Sequence, residues 1–104
     1  MTKYLFSGNI FQSENEIEKY NSPIEGEMWK PNFKTKLYYT ESSCHKRLNR
    51  EILKWLKRNK KNKGFYNIDI TFMEKNNGYG FHDRIRKTFF FDGNNLGLRN
   101  EKTL

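Results

Sequence analysis

The sequence predicts an α+β fold: a small single-domain sandwich in which one long amphipathic helix packs on a mixed or antiparallel sheet with a C-terminal β-hairpin. Three observations lead there. Cys44, Leu48, Ile52, Trp55 and Leu56 recur at helical spacing and so form one apolar stripe. Residues 65–73 alternate instead, with Tyr66, Ile68, Ile70 and Phe72 on one side and Asn67, Asp69 and Thr71 on the other, the pattern of a half-buried strand. Finally, the elements run strand, short helix, strand, long helix and hairpin, an order that leaves the helices to cover an α+β sheet.

Taken in order, Lys3-Tyr4-Leu5-Phe6-Ser7 is a first strand ended by a turn at Gly8-Asn9. Ser13 followed by Glu16 is a capping-box pattern and predicts a short helix from Ser13 to Tyr20. Pro23, Gly26 and Pro31 keep residues 21–33 irregular, with Trp29 and Phe33 folding back on the core. The β-formers between Lys34 and Thr40 make a second strand. Ser42 or Ser43 then caps the long helix, which runs to about Asn59 and closes through Lys57–Lys63 and Gly64. Asn76-Asn77-Gly78-Tyr79-Gly80 turns the strand from Phe65 to Met73 into a second one from His82 to Phe91. Residues 1–95 are therefore expected as one compact domain. Residues 96–104, poor in apolar side chains, are expected as a poorly ordered tail.

Charge is distributed unevenly along the 104 residues. Residues 1–30 hold three Lys/Arg and five Glu, whereas residues 31–104 hold seventeen Lys/Arg against seven Asp/Glu. The positive field thus belongs to the C-terminal two-thirds, which favours a polyanionic partner. A single cysteine, Cys44, excludes an intramolecular disulfide and fits a reducing, cytoplasmic setting. No apolar run approaches the roughly 20 residues of a membrane span, so no membrane partner is expected.

Two groups of residues carry the functional expectation. On the long helix, Arg47, Arg50, Lys54, Lys57, Arg58 and Lys61 recur every three or four residues and line up on one side. Such a row suits a phosphate backbone, because each neutralised phosphate releases a counterion. On the hairpin, Tyr79 and Phe81 stand beside Arg84 and Arg86, a mixture in which rings stack bases while cations hold phosphates. The helix start, Ser42-Ser43-Cys44-His45, adds hydroxyls and free N–H groups that suit one phosphate and bear on the Cys44 thiol.

Gly78-Tyr79-Gly80-Phe81 resembles the centre of the RNP1 motif of RNA-recognition-motif domains, and Leu37-Tyr38-Tyr39 is similar to the start of RNP2. The resemblance implies Tyr38 and either Tyr79 or Phe81 as base-stacking positions. It departs from the family where Asn77 replaces a basic residue and Arg84 the last aromatic, and the chain after Phe91 is too short for a further helix and strand.

The expected function is nucleic-acid binding (DNA or RNA) without catalysis or cofactor. One alternative is a phage- or mobile-element-type inhibitor that docks its basic surface on an acidic or nucleic-acid-binding host protein. A second is a small nuclease or phosphodiesterase built on His82 and Asp83 with Glu74, His45 or Asp69. The sequence has no Walker loop, no paired metal-binding histidines and no Cys-x-x-Cys.

Overall fold

The computed structural model describes residues 1–13 and 31–103. They form a small compact α+β domain with one helix and a five-stranded antiparallel sheet. In chain order the elements are β1 (Lys3–Ser13), β2 (Phe33–Lys34), α1 (Glu41–Arg58), β3 (Gly64–Lys75), β4 (Tyr79–Phe91) and β5 (Leu96–Thr103). The sheet order is β2-β1-β3-β4-β5, with every neighbouring pair antiparallel. The short helix expected over Ser13–Tyr20 and the irregular stretch 21–30 lie outside the described residues, except that Ser13 is the last residue of β1.

Helix α1 covers one face of the sheet. Its inward row Cys44, Leu48, Ile52 and Leu56 is buried and meets Phe6 and Ile10 of β1, Tyr66, Ile68, Ile70 and Phe72 of β3, and Phe89 and Phe91 of β4. These side chains are the helical and the two-residue periodicities of the sequence brought together, and each large one contributes about 1.5–3 kcal/mol by leaving water. Trp55 packs at the margin of that core, its indole N–H donating to the carbonyl of Asn32 at 2.9 Å.

The start of α1 is set by a residue other than those expected, and its end falls at Asn59 and within Lys57–Lys63 as expected but closes without Gly64. Thr40, not Ser42 or Ser43, is the N-cap: its extended backbone starts the turn and its Oγ1 accepts from the Ser43 N–H at 3.1 Å. At the other end Lys60 adopts φ 51°. The N–H of Lys60 then bonds the Lys57 carbonyl and the N–H of Lys61 the Leu56 carbonyl, both at 3.0 Å, which is a Schellman closure. Gly64 opens β3 instead of closing the helix.

The strands depart from expectation in four places. Gly8 is not in a turn; it sits in the middle of an eleven-residue β1, opposite Ile70. A Cβ there would lie 1.9 Å from the Asp69 carbonyl oxygen and 2.7 Å from the Ile70 Cα, so glycine is required by the close approach of β3. The stretch Lys34–Thr40 is not a regular strand. Beyond β2, the edge of β1 is satisfied piecewise: Thr35 gives its N–H to the Phe6 carbonyl and takes the Phe6 N–H on Oγ1, and Tyr38 exchanges two backbone bonds with Tyr4. Just before β2, the Asn32 side-chain amide does the same for both backbone groups of Ile10.

Third, β3 is buried on both faces, since Asn67 and Asp69 are as enclosed as Ile68 and Ile70. Asn67 accepts from the Thr88 hydroxyl at 2.6 Å, and Asp69 takes a two-pronged contact from Arg86 at 2.6 and 2.9 Å. Fourth, residues 96–103 are not a loose tail but form β5, paired with β4 along its length. The hairpin of β3 and β4 is therefore internal to the sheet. Asn77 (φ 59°) and Gly78 (φ 154°) supply the positive dihedrals of its turn, as their residue types predicted.

Replacing Gly8 by alanine is expected to cost at least about 2 kcal/mol, because the new methyl group meets backbone that cannot swing aside. A denaturant-unfolding midpoint for Gly8→Ala within error of the wild type would show that β1 and β3 do not approach as described.

Candidate functional site

The core contact of α1 fixes where its cations point. Successive residues turn by about 100°, so with Leu48 facing the sheet, Arg47, Arg50, Lys54, Lys57 and Arg58 fall within an arc of roughly 100° on the outer side. All five are exposed. Among the described residues none of them makes an ion pair; the pairs present are Arg86 with Asp69, Lys87 with Glu101 and His82 with Glu74. Lys61 leaves this row, because the chain has turned at Lys60 and its ammonium lies 5.5 Å from the Trp55 ring centre.

Glu51, the carboxylate that sequence places beside the row, is engaged elsewhere. Glu51 accepts from the Tyr38 hydroxyl at 2.6 Å and from the Lys36 N–H at 3.2 Å, and so ties the β2–α1 connection to the flank of the helix. Burial, followed by the hydrogen bond and negative charge of Glu51, pushes the Tyr38 phenol up to about 12, against a smaller opposing pull from Arg47. Glu51 is thereby committed to the fold and does not neutralise its cationic neighbours. The glutamates at 14, 16, 18, 25 and 27 lie outside the described residues.

Tyr79, Phe81, Arg84 and Arg86 lie on the opposite face of the sheet. They pair across β3 with Lys75, Met73, Thr71 and Asp69, the positions that alternate with the helix-facing Ile68, Ile70 and Phe72. The helix row and the hairpin group predicted from sequence are therefore two surfaces separated by the sheet, and no single site contains both. Within the second group, Arg86 is held against Asp69, half-enclosed, as an internal partner. Tyr79 is 48% exposed with the Lys34 and Lys75 ammonium groups each 5.7 Å from its ring centre, and Phe81 is 72% exposed.

This far face carries residues that the sequence reading did not single out. Ser7, Gly8 and Asn9 of β1 and Thr71 of β3 join Asp69, Met73, Phe81, His82 and Arg84 around an open cleft of about 640 Å³, which Pro31 also lines. The signal was present in the strict polar alternation of Ser7 and Asn9 with Phe6 and Ile10. It was obscured because Gly8-Asn9 also has the composition of a turn.

Other expected groupings are not assembled. Tyr38 sits on the helix side with Glu51, whereas Tyr79 and Phe81 are on the far side, so the stacking pair implied by the RNP-like segments is split. After β4 the chain continues directly into β5. His45 and His82 both pack on Phe72, with ring centres 4.5 and 5.4 Å away, and Glu74 Oε1 lies 3.6 Å from His82 Nε2. His82 also lines the far-face cleft together with Asp69, whose carboxylate is held by Arg86, while His45 belongs to α1 on the other side of the sheet, so the acid–base grouping expected around His82 is only partly assembled. Among the described residues no group of three or more His, Cys, Asp or Glu is disposed to hold a metal ion. Cys44 is fully buried, and burial pushes its thiol up to about 11, the reverse of nucleophilic activation. No helix among the described residues is long and apolar enough to cross a membrane.

Comparison of the chain with known protein families, with curated proteins and with solved structures returned no match. What defines the chain is thus its own geometry: a small α+β domain with, among the described residues, a cationic helix face free of ion pairs on one side and an aromatic, partly basic cleft on the other.

The raised Tyr38 phenol has a consequence for stability. In the folded chain Tyr38 keeps its proton to about pH 12, whereas unfolded tyrosine loses it near pH 10. The stabilisation from this group is complete below about pH 10 and is lost as the pH climbs towards 12. Urea-unfolding midpoints of wild type and Tyr38→Phe across this interval should converge as the pH rises; a constant gap would mean that the Glu51 contact is not made.

Proposed function

We propose that this chain is a nucleic-acid-binding protein without catalysis and that it engages the phosphate backbone through the outer face of α1. The observation that carries the reading is the row Arg47, Arg50, Lys54, Lys57 and Arg58, which among the described residues makes no ion pair and whose neighbour Glu51 is bound to Tyr38. Like charges at Arg47/Arg50, Arg50/Lys54, Lys54/Lys57 and Lys54/Arg58 each cost the helix a few tenths of a kcal/mol. An anion on that face removes this cost. Arg47 to Arg58 spans about 16 Å of helix axis, long enough to follow several phosphates of one backbone.

The fold supports this use of the helix because, among the described residues, no ion pair occupies its outer side. Its inner row, with Leu53 and Trp55 at the margin, docks the sheet, and both its ends are capped by the chain itself. Lys57 and Arg58 in the last turn also complement the negative end of the helix dipole, so the cluster is densest where the helix best tolerates positive charge. A rigid, exposed and cationic helix face is complementary to a polyanion by charge and shape, without sequence selectivity of its own.

Reversing two central cations tests the reading. In a mobility-shift titration on a short B-form duplex at several salt concentrations, Arg50→Glu with Lys54→Glu is expected to weaken binding by on the order of tenfold or more. It should also flatten the dependence of log K on log salt by about 2. Unchanged affinity and salt slope in a correctly folded double variant would contradict the proposal. So would wild-type protein that shifts neither DNA nor RNA but captures a protein partner after nuclease treatment, which is the inhibitor's behaviour.

A further inference from the structure

On the far face of the sheet we infer a second ligand site: the cleft beside Phe81 accepts an unpaired nucleobase of a single-stranded nucleic acid. The inference rests on the reading of the chain as a nucleic-acid binder, but it names a separate surface and a different state of the ligand.

Three successive rows of the sheet give the cleft graded chemistry. Met73 and Phe81, paired across β3 and β4, form an apolar end. The next row holds Ser7, Thr71 and Arg84, two hydroxyls and a guanidinium. The third holds Asn9 and Asp69, an amide and a carboxylate already in contact with Arg86. A nucleobase needs this sequence of groups: an apolar π-surface for its face, then donors and acceptors for its edge. A volume of about 640 Å³ lies within the range of small-ligand sites and accommodates one nucleotide.

Phe81 is suited to be the stacking ring. It is 72% exposed, and among the described residues no other ring or cation packs on it, whereas the Tyr79 ring is flanked by Lys34 and Lys75. A large aromatic side chain kept in water at a cleft mouth is the kind of surface that base stacking covers, and the contact is tolerant of base identity. Phosphates have partners at hand. Arg84 lines the cleft, and Lys34 and Lys75 are exposed on the same face beside Tyr79.

Because the sheet separates this cleft from the α1 row, the two surfaces act independently: duplex phosphates favour the helix face and unpaired bases the cleft. The separation makes the test decisive. Affinities for a single-stranded 12-mer of thymidylate and for a duplex of equal length are measured for wild type, Phe81→Ala, Phe81→Trp and the Arg50→Glu, Lys54→Glu variant. Phe81→Ala should weaken single-strand binding about 5- to 100-fold and leave duplex binding within twofold, with Phe81→Trp restoring the single-strand affinity. The helix variant should lose duplex binding yet keep a single-strand affinity that still falls when Phe81→Ala is added. Single-strand binding that is insensitive to Phe81→Ala in the helix-variant background, or absent in wild type, overturns the cleft. Duplex binding that survives the helix variant overturns the phosphate face alone. Since Phe81 is mostly in water, its substitutions leave the core intact, and matched circular dichroism and melting curves verify this.

Discussion

The seating of Cys44, Leu48, Ile52 and Leu56 on the Phe6, Tyr66, Ile68, Ile70 and Phe89 side of the sheet is the contact on which the rest depends. It is the largest apolar burial in the described residues, and it can be made in only one rotational setting of the helix. That setting sends Arg47, Arg50, Lys54, Lys57 and Arg58 outward together. It also assigns the alternate residues of β1, β3 and β4 to the opposite side, where the polar and aromatic positions of each strand meet in register. Two surfaces of distinct chemistry follow from a single packing choice.

Polar interactions refine that choice and do not create it. Arg86 and Asp69, Thr88 and Asn67, and Glu51 and Tyr38 are internal pairs that hold strand register and the entry to α1. A buried pair of this kind stabilises little in net terms, but leaving one partner alone is costly, so such pairs discriminate against wrong registers. By contrast, among the described residues the cations of the helix row make no ion pair. The distinction between committed and uncommitted charge is what separates Arg86, once grouped with the binding residues, from Arg50 and Lys54.

Much of this architecture was legible in the sequence wherever burial leaves a period. The α1 stripe, the alternation of β3 and the turn at Asn77-Gly78 were read from residue pattern alone, because each answers to a strong local rule. β5 was not, since Leu96-Gly97-Leu98-Arg99-Asn100-Glu101-Lys102-Thr103 is an edge strand largely in water, held by backbone pairing to β4 that leaves no hydrophobic trace. Gly8 misled because the same residue type serves turns and close strand contacts. Thr40 was passed over because Ser42 and Ser43 are stronger cap residues by composition, and at the other end Lys60, inside the expected Lys57–Lys63 stretch, takes the positive φ that Gly64 was expected to supply. In the site, periodicity placed Arg47, Arg50, Lys54, Lys57 and Arg58 on one exposed side of α1 but did not foresee that Lys61 leaves that side after the turn at Lys60. It did not show that Tyr79, Phe81 and Arg84 face the other way, since that depends on the register of β4 against β3 and on the bulge between Thr71 and Met73.

The central claim is that two surfaces on opposite sides of one sheet each meet nucleic acid in a different form. Amide chemical-shift mapping by NMR tests it most directly, using isotopically labelled protein titrated first with a duplex and then, separately, with a single strand. The account predicts that the duplex moves the amides of the outer α1 residues between Arg47 and Arg58, and that the single strand moves those around Thr71, Met73, Phe81 and Arg84. Shifts that fall on the same residues for both ligands, or on neither surface, would contradict it.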